Sequence, residues 1–100
     1  MIWHLVIEGA AEAEILEAAQ WYGRRNPAAR EQFLAAIDDA LAAIENNPLQ
    51  CQVVRGVVRR VLVRHFPYAL LYSIKDDQVV VTVCFPTHRD PRQWHARFPS

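Results

Sequence analysis

Apolar positions along the chain change their period near residue 48, and that change divides it into a helical and a strand-forming half. Ile2 to Ile7 is a short run rich in β-formers that stops before Gly9, and it predicts a strand. From Ala10 to Arg25 the apolar residues Ile15, Ala18, Ala19 and Tyr22 recur at helical spacing, with Glu12, Glu14 and Glu17 falling largely on other faces. This spacing predicts an amphipathic helix. Asn26-Pro27 is a stop and a restart, because proline suits a first helical turn and asparagine can cap the free amides there. A second helix then runs to about Asn46, with Phe33, Ile37, Ala40, Leu41 and Ile44 on one face. The two helices form a hairpin able to lie on a sheet.

Asn46-Asn47-Pro48 ends the helical half. Val57 to Phe66, Tyr68 to Ile74 and Gln78 to Phe85 follow as β-rich runs, separated by Phe66-Pro67 and by Lys75-Asp76-Asp77. They predict a three-stranded antiparallel meander. In the first run Arg60, Leu62, Arg64 and Phe66 alternate with Arg59, Val61, Val63 and His65, so each face mixes cationic and apolar groups. Pro86 removes a strand N–H and predicts an early end to the last strand. The expected architecture is α+β: a strand, a two-helix hairpin, then the meander, in a single domain spanning residues 1–100. The helices should cover one sheet face and leave the other partly open. Alternation alone does not fix where the first strand pairs.

Composition narrows the class. Hydrophobic residues make up 52% of the 100 residues and charged ones 22%, enough apolar area for a folded core. No apolar run approaches the roughly 20 residues of a membrane span, and the N-terminus lacks the pattern of a secretion signal, so a cytoplasmic location is expected. Cys51 and Cys84 have neither disulfide nor zinc-ligand spacing, and no metal or cofactor is expected. The net charge of zero conceals an asymmetry. Residues 1–50 carry three basic against eight acidic side chains, and residues 51–100 carry eight basic against three acidic. Such a separation can present a positive face to nucleic acid or to an acidic protein.

Two stretches hold candidate chemistry. The segment from Phe85 to Arg97 contains His88, His95, Arg89, Arg92, Arg97 and Trp94, groups suited to binding anions or filling a protein pocket. A purely structural role has Arg89 and Asp90 pairing locally, Pro91 starting a turn and Trp94 folding back onto the sheet. Arg55, Arg59, Arg60 and Arg64 make a second basic cluster, which phosphates, an acidic partner or the chain's own glutamates could neutralise. No nucleophile elbow, glycine-rich phosphate loop or metal motif is present.

Trp21-Tyr22, Phe33, Asn47-Pro48, the run from Val58 to Arg64, the run from Phe66 to Tyr72, and Arg89-Asp90-Pro91 with Trp94 together resemble the RelE/ParE superfamily of toxins, most closely its ParE branch. The resemblance spans nearly the whole chain, with Tyr68, Arg89, Asp90, Pro91 and Trp94 as its structural motif. It implies the toxin of a type II toxin-antitoxin pair, bound in a hetero-oligomer by a ParD-like or similar antitoxin. ParE-like members poison DNA gyrase, whereas RelE-like members cleave messenger RNA on the ribosome. A RelE-type strand arginine falls here on Ala69, which cannot support a phosphate; a second falls on Arg89, and the C-terminal tyrosine falls near His95. Pro86 and His88 stand where ParE-like chains usually carry a histidine and an arginine.

The resemblance therefore favours gyrase inhibition without catalysis. Arg92, His95 and Arg97 are the target-binding candidates, and Trp21, Tyr22, Arg55, Arg59, Arg60 and Arg64 the antitoxin-binding ones. A ribosome-dependent nuclease using Arg89 and His95, and a non-toxic interaction module, remain as alternatives. Direct DNA binding by the toxin alone is not expected.

Overall fold

The computed structural model describes residues 2–98. Its elements are β1 (His4–Ile7), α1 (Gly9–Arg25), α2 (Pro27–Asn46), β2 (Gln52–Arg55), β3 (Val58–Leu62), β4 (Tyr68–Lys75), β5 (Gln78–Pro86) and α3 (Arg92–His95). The α+β order is as the sequence implies. The sheet is larger than expected and mixed: it has five strands in the order β1-β5-β4-β3-β2, with β1 parallel to β5 and the other neighbours antiparallel.

Asn26 separates the helices by serving both. Its N–H donates to the Tyr22 carbonyl at the end of α1, and its side-chain oxygen accepts from the Ala28 N–H at the start of α2. The hairpin lies on one face of the sheet, where Ala11, Ile15, Ala18 and Ala19 of α1 and Phe33, Ile37, Ala40 and Ile44 of α2 meet Leu70, Tyr72, Val79 and Val81. At one end of this core Tyr22, Phe33, Phe66 and Tyr68 form an aromatic cluster, with Tyr22 and Phe66 ring centroids 5.0 Å apart and Phe33 and Tyr68 5.4 Å apart. The Tyr72 hydroxyl, fully buried beneath the helices, donates to the Pro48 carbonyl at 2.6 Å and pins the turn that follows α2. Burial, the first cause, drives the Tyr72 pKa upward and keeps this donor protonated.

Four expectations are corrected. β1 starts at His4 rather than Ile2, because the pairing with β5 begins with His4 opposite Gln78. An additional edge strand, β2, forms a hairpin with β3 through Gly56 and Val57; Gly56 supplies the positive φ of +54° that such a two-residue turn demands at its first position. β3 stops at Leu62 instead of continuing to Phe66. Pro67 is bracketed by the Tyr68 N–H donating to the Phe66 carbonyl, and His65 adopts a positive φ of 70°, so Arg64 to Pro67 is a turn. Finally, β5 runs through Pro86 instead of ending early. Pro86 faces Tyr68, and the Thr87 N–H donates to the Pro67 carbonyl, so Pro86 and Tyr68 are a non-hydrogen-bonded pair. The N–H that proline lacks would have pointed away from β4, and its loss costs the ladder nothing.

Tyr72→Phe is expected to destabilise the protein by about 1–2 kcal/mol, because a buried carbonyl loses its donor. Urea unfolding measures it; an unchanged midpoint would show that the Pro48 turn does not depend on this bond.

Candidate functional site

β1 pairs with β5 only as far as Ile7 opposite Val81, leaving residues 82–86 of β5 without a neighbouring strand on that side. Side chains take the place of the missing strand. The register between β4 and β5 slips between Leu71/Val83 and Tyr72/Val81, so Thr82 is a bulged residue. Its hydroxyl donates to Glu8 Oε1 at 2.6 Å, and its carbonyl accepts from Arg97 Nη2. Two residues on, the Cys84 N–H donates to Glu14 Oε1 at 3.0 Å, and the second oxygen of Glu14 receives Arg97 Nη1 at 2.6 Å. A helix glutamate and a C-terminal arginine thus satisfy the open stretch of strand. Burial, then the charge of Glu14, pushes the Cys84 thiol up to about 12, so it stays protonated and inert near neutral pH.

The bulge also reverses the side-chain phase of β5. Val79 and Val81 face the helices, whereas Val83 and Phe85 face the opposite side, where Val58, Leu71 and Trp94 form a second small core. Trp94, only 5% exposed, plugs this face, with the rings of His95 at 4.7 Å and Phe98 at 5.7 Å meeting it edge-on. Asp90 builds the turn that delivers the tryptophan. One carboxylate oxygen accepts the Arg92 N–H at 2.9 Å, and the other accepts Arg92 Nε at 2.8 Å and Nη2 at 2.6 Å. The bonds from Arg92 hold the Asp90 carboxyl below the ordinary aspartate value of 3.8. Pro91 then leads into α3.

Between α1 and this C-terminal strap lies a groove of about 520 Å³, floored by residues 83–86 of β5. Trp21, Tyr22 and Arg24 border it from the helix; Tyr68, His88, Arg89 and Trp94 border it from the sheet and strap. Burial raises the Tyr68 pKa, and Arg89 opposes the shift. Burial also raises that of Tyr22. Both phenols are neutral hydrogen-bonding groups at neutral pH.

The candidate residues separate into distinct settings. Arg89 is exposed at the groove, whereas His95 does not line it and sits against Trp94 instead. Ala69 is buried in the sheet, opposite Leu62 and Phe85. Arg92 is held by Asp90 and Arg97 by Glu14 and Thr82. In the second basic cluster, Arg59 donates to the carbonyls of Leu49 at 3.0 Å and Cys51 at 2.6 Å, tying down the loop before β2, and Arg60 donates to Gln52 at 3.1 Å. Arg55 and Arg64 are exposed and form no ion pair with a described residue. Trp21 is 43% exposed, with the Arg25 guanidinium 3.9 Å from its ring centre, while Tyr22 belongs to the aromatic cluster. Glu8, Glu14 and Thr82 did not stand out in the sequence. Glu14 had a signal: it falls three residues after Ala11 and four before Ala18, beside the apolar stripe of α1.

This architecture recurs among solved structures. A chain described as belonging to the chromosomal ParDE TA system from P. aeruginosa is similar with a TM-score of 0.77, covering 87% of this chain and 98% of its own at 12% identity. No curated relative matches the sequence. Residues 5–91 match the model of the "ParE toxin of type II toxin-antitoxin system, parDE", so the class is that of type II toxins. The chain belongs to the ParE toxin family. The match ends at Pro91, before Trp94 and Arg97 complete the strap.

In a double-mutant cycle, Glu14→Gln and Arg97→Gln are expected to show a coupling of about 1 kcal/mol, the scale of a partly exposed, charge-assisted pair. Additive losses would mean that the two side chains act independently. Folding depresses the Asp90 pKa, so its contribution to α3 is complete above the unfolded value near 3.8 and is lost as pH falls through the lower folded value. Acid titration of tryptophan emission should therefore show the strap loosening below pH 4. The corresponding step should be absent in Asp90→Asn.

Proposed function

We propose that this chain is the toxin half of a type II pair, inhibiting DNA gyrase through protein contact and held inactive in the cytoplasm by a ParD-like antitoxin. Family membership supports the toxin role. The observation that carries the choice of target is the separation of the nuclease candidates. Arg89 borders the groove, His95 packs on Trp94 outside its lining, and Ala69 contributes only a buried methyl group to the sheet. Cleaving RNA requires groups that activate the 2′-hydroxyl, support the phosphate and protonate the leaving oxygen together. Binding to a protein target requires no such convergence.

The antitoxin reading draws on the edge of the sheet at β2 and β3. Val53, Val57 and Leu62 are 46%, 74% and 57% exposed there, and Arg55 and Arg64 lie nearby in the sequence with exposed side chains. An antitoxin segment alternating apolar and acidic residues can bury the former and pair with the latter. Arg59 and Arg60 then serve by shaping the edge, and Trp21 reports on a partner that reaches the end of α1.

Purified toxin is expected to inhibit gyrase supercoiling, with activity restored by stoichiometric antitoxin; unchanged supercoiling at saturating toxin would overturn the reading. Arg55→Glu with Arg64→Glu should weaken antitoxin binding at least tenfold, equivalent to about 1.4 kcal/mol. One observation favours a ribosome-dependent nuclease, namely Arg89 beside Tyr68 in the groove. Toxin-dependent cuts in translated message that disappear with Arg89→Ala would decide for it.

A further inference from the structure

The fold gathers positive charge that the sequence distributes over both halves. The end of α1, the turn between β3 and β4, and the loop after β5 meet at one end of the molecule: the Tyr22 and Phe66 rings are 5.0 Å apart, and the Thr87 N–H donates to the Pro67 carbonyl. Segments 18–30, 63–68 and 86–89 contribute Arg24, Arg25, Arg30, Arg64 and Arg89 to this end, and none of them contains an aspartate or glutamate. His65 and His88 lie in the same segments. All seven side chains belong to exposed residues. Arg25 lies over Trp21 and Arg30 pairs with Glu31, whereas Arg24, Arg64 and Arg89 form no ion pair with a described residue. Of the acids that flank this end, Glu14, Glu31 and Asp90 pair with Arg97, Arg30 and Arg92. That leaves Glu17 of the groove lining to set against Arg24, Arg25, Arg64 and Arg89; Asp39 and Glu45 lie beside Trp3, and Asp77 beside His4.

We propose, against the expectation that the family resemblance carries for the chain alone, that this basic pole is a docking surface for the phosphate backbone of duplex DNA. Three observations select that partner. The pole displays arginines, which bind phosphate bidentately and stay charged at all physiological pH values. Its apolar area is small: of the large exposed hydrophobic side chains, only Trp21 lies in the three segments, and Arg25 covers it. A docked acidic protein would bury an exposed apolar centre, whereas the aromatic groups of the adjoining groove other than Trp21 are already packed into the fold, Tyr22 and Tyr68 against each other and Trp94 only 5% exposed. Single strands bind by stacking bases on free aromatic faces, but Tyr22, Phe66 and Tyr68 are packed against one another. Backbone contact without base readout remains. A neutral net charge does not prevent it, because arginines outnumber the unpaired acids at this end. The inference stands apart from the gyrase reading, since it concerns the purified chain alone.

Fluorescence anisotropy with a labelled 20-base-pair duplex tests it. Binding is expected at low salt, with a log–log dependence of affinity on salt of about −3 to −4, corresponding to three or four phosphate contacts. The neutral triple variant Arg24→Gln, Arg64→Gln, Arg89→Gln should flatten that slope by about 3, and the charge-reversed triple variant should abolish binding. Lys75→Glu, away from the pole, should leave binding unchanged, and unfolding midpoints check that every variant folds. Absence of duplex binding at low salt, or a triple variant that binds like the parent, would overturn the proposal. So would a single strand that binds more tightly than the duplex, or polyglutamate that displaces the duplex at equal charge concentration, which would assign the pole to an acidic protein.

Discussion

β5 is nine residues long and its parallel neighbour β1 only four. Much of the molecule follows from that mismatch, because backbone groups left on the open side of a central strand must find partners. Glu14 reaches down from α1 to the Cys84 N–H, which fixes how the helix sits along the strand. Arg97 reaches from the opposite direction to the Thr82 carbonyl and closes on Glu14, which anchors the C-terminal strap. The groove between helix and strap is the space left where a longer β1 would have run. Its floor is a poor template for an added strand, since Cys84 has already given its N–H to Glu14 and Pro86 has none to give. The groove therefore presents side chains rather than open backbone groups.

The bulge at Thr82 links this edge to the two cores. Before it, β5 feeds Val79 and Val81 to the helix hairpin; after it, Val83 and Phe85 support Trp94 on the other face. The Arg-Asp-Pro-x-x-Trp segment therefore works as a latch. Asp90 organises the turn, Trp94 fills the second core, and Arg97 ties the end to α1. Arginines that look alike in the sequence take different parts as a result. Arg59, Arg92 and Arg97 are bound to the chain itself, whereas Arg24, Arg55, Arg64 and Arg89 have no ion-pair partner among the described residues.

The helix hairpin was legible because Phe33, Ile37 and Ile44 obey one period and Asn26-Pro27 interrupts it unambiguously. β4 and β5 were legible from their apolar density. β2 was not: Gln52 to Arg55 holds two valines between polar residues, too little pattern to distinguish from a loop, and its pairing is completed through the Gly56 turn. The bulge was hidden for the opposite reason, because Val79 to Cys84 contains apolar residues in both phases and a slip leaves no mark. Trp94 folding back onto the sheet was among the open readings. The role of Arg97 depended on Glu14, a contact across 83 positions that local pattern does not encode.

β1 stands near the start of the chain and pairs with β5, placing His4 beside Gln78. The helix hairpin and the β3–β4 pair are built from contacts nearer in sequence, but the β1 edge must await the arrival of β5. Contacts so distant in sequence form late and slow folding. During synthesis, then, β1 and both long helices are complete before β5 exists to pair with the first strand. A newborn chain therefore cannot pair β1, or latch the strap onto Glu14, until its C-terminal residues have been made.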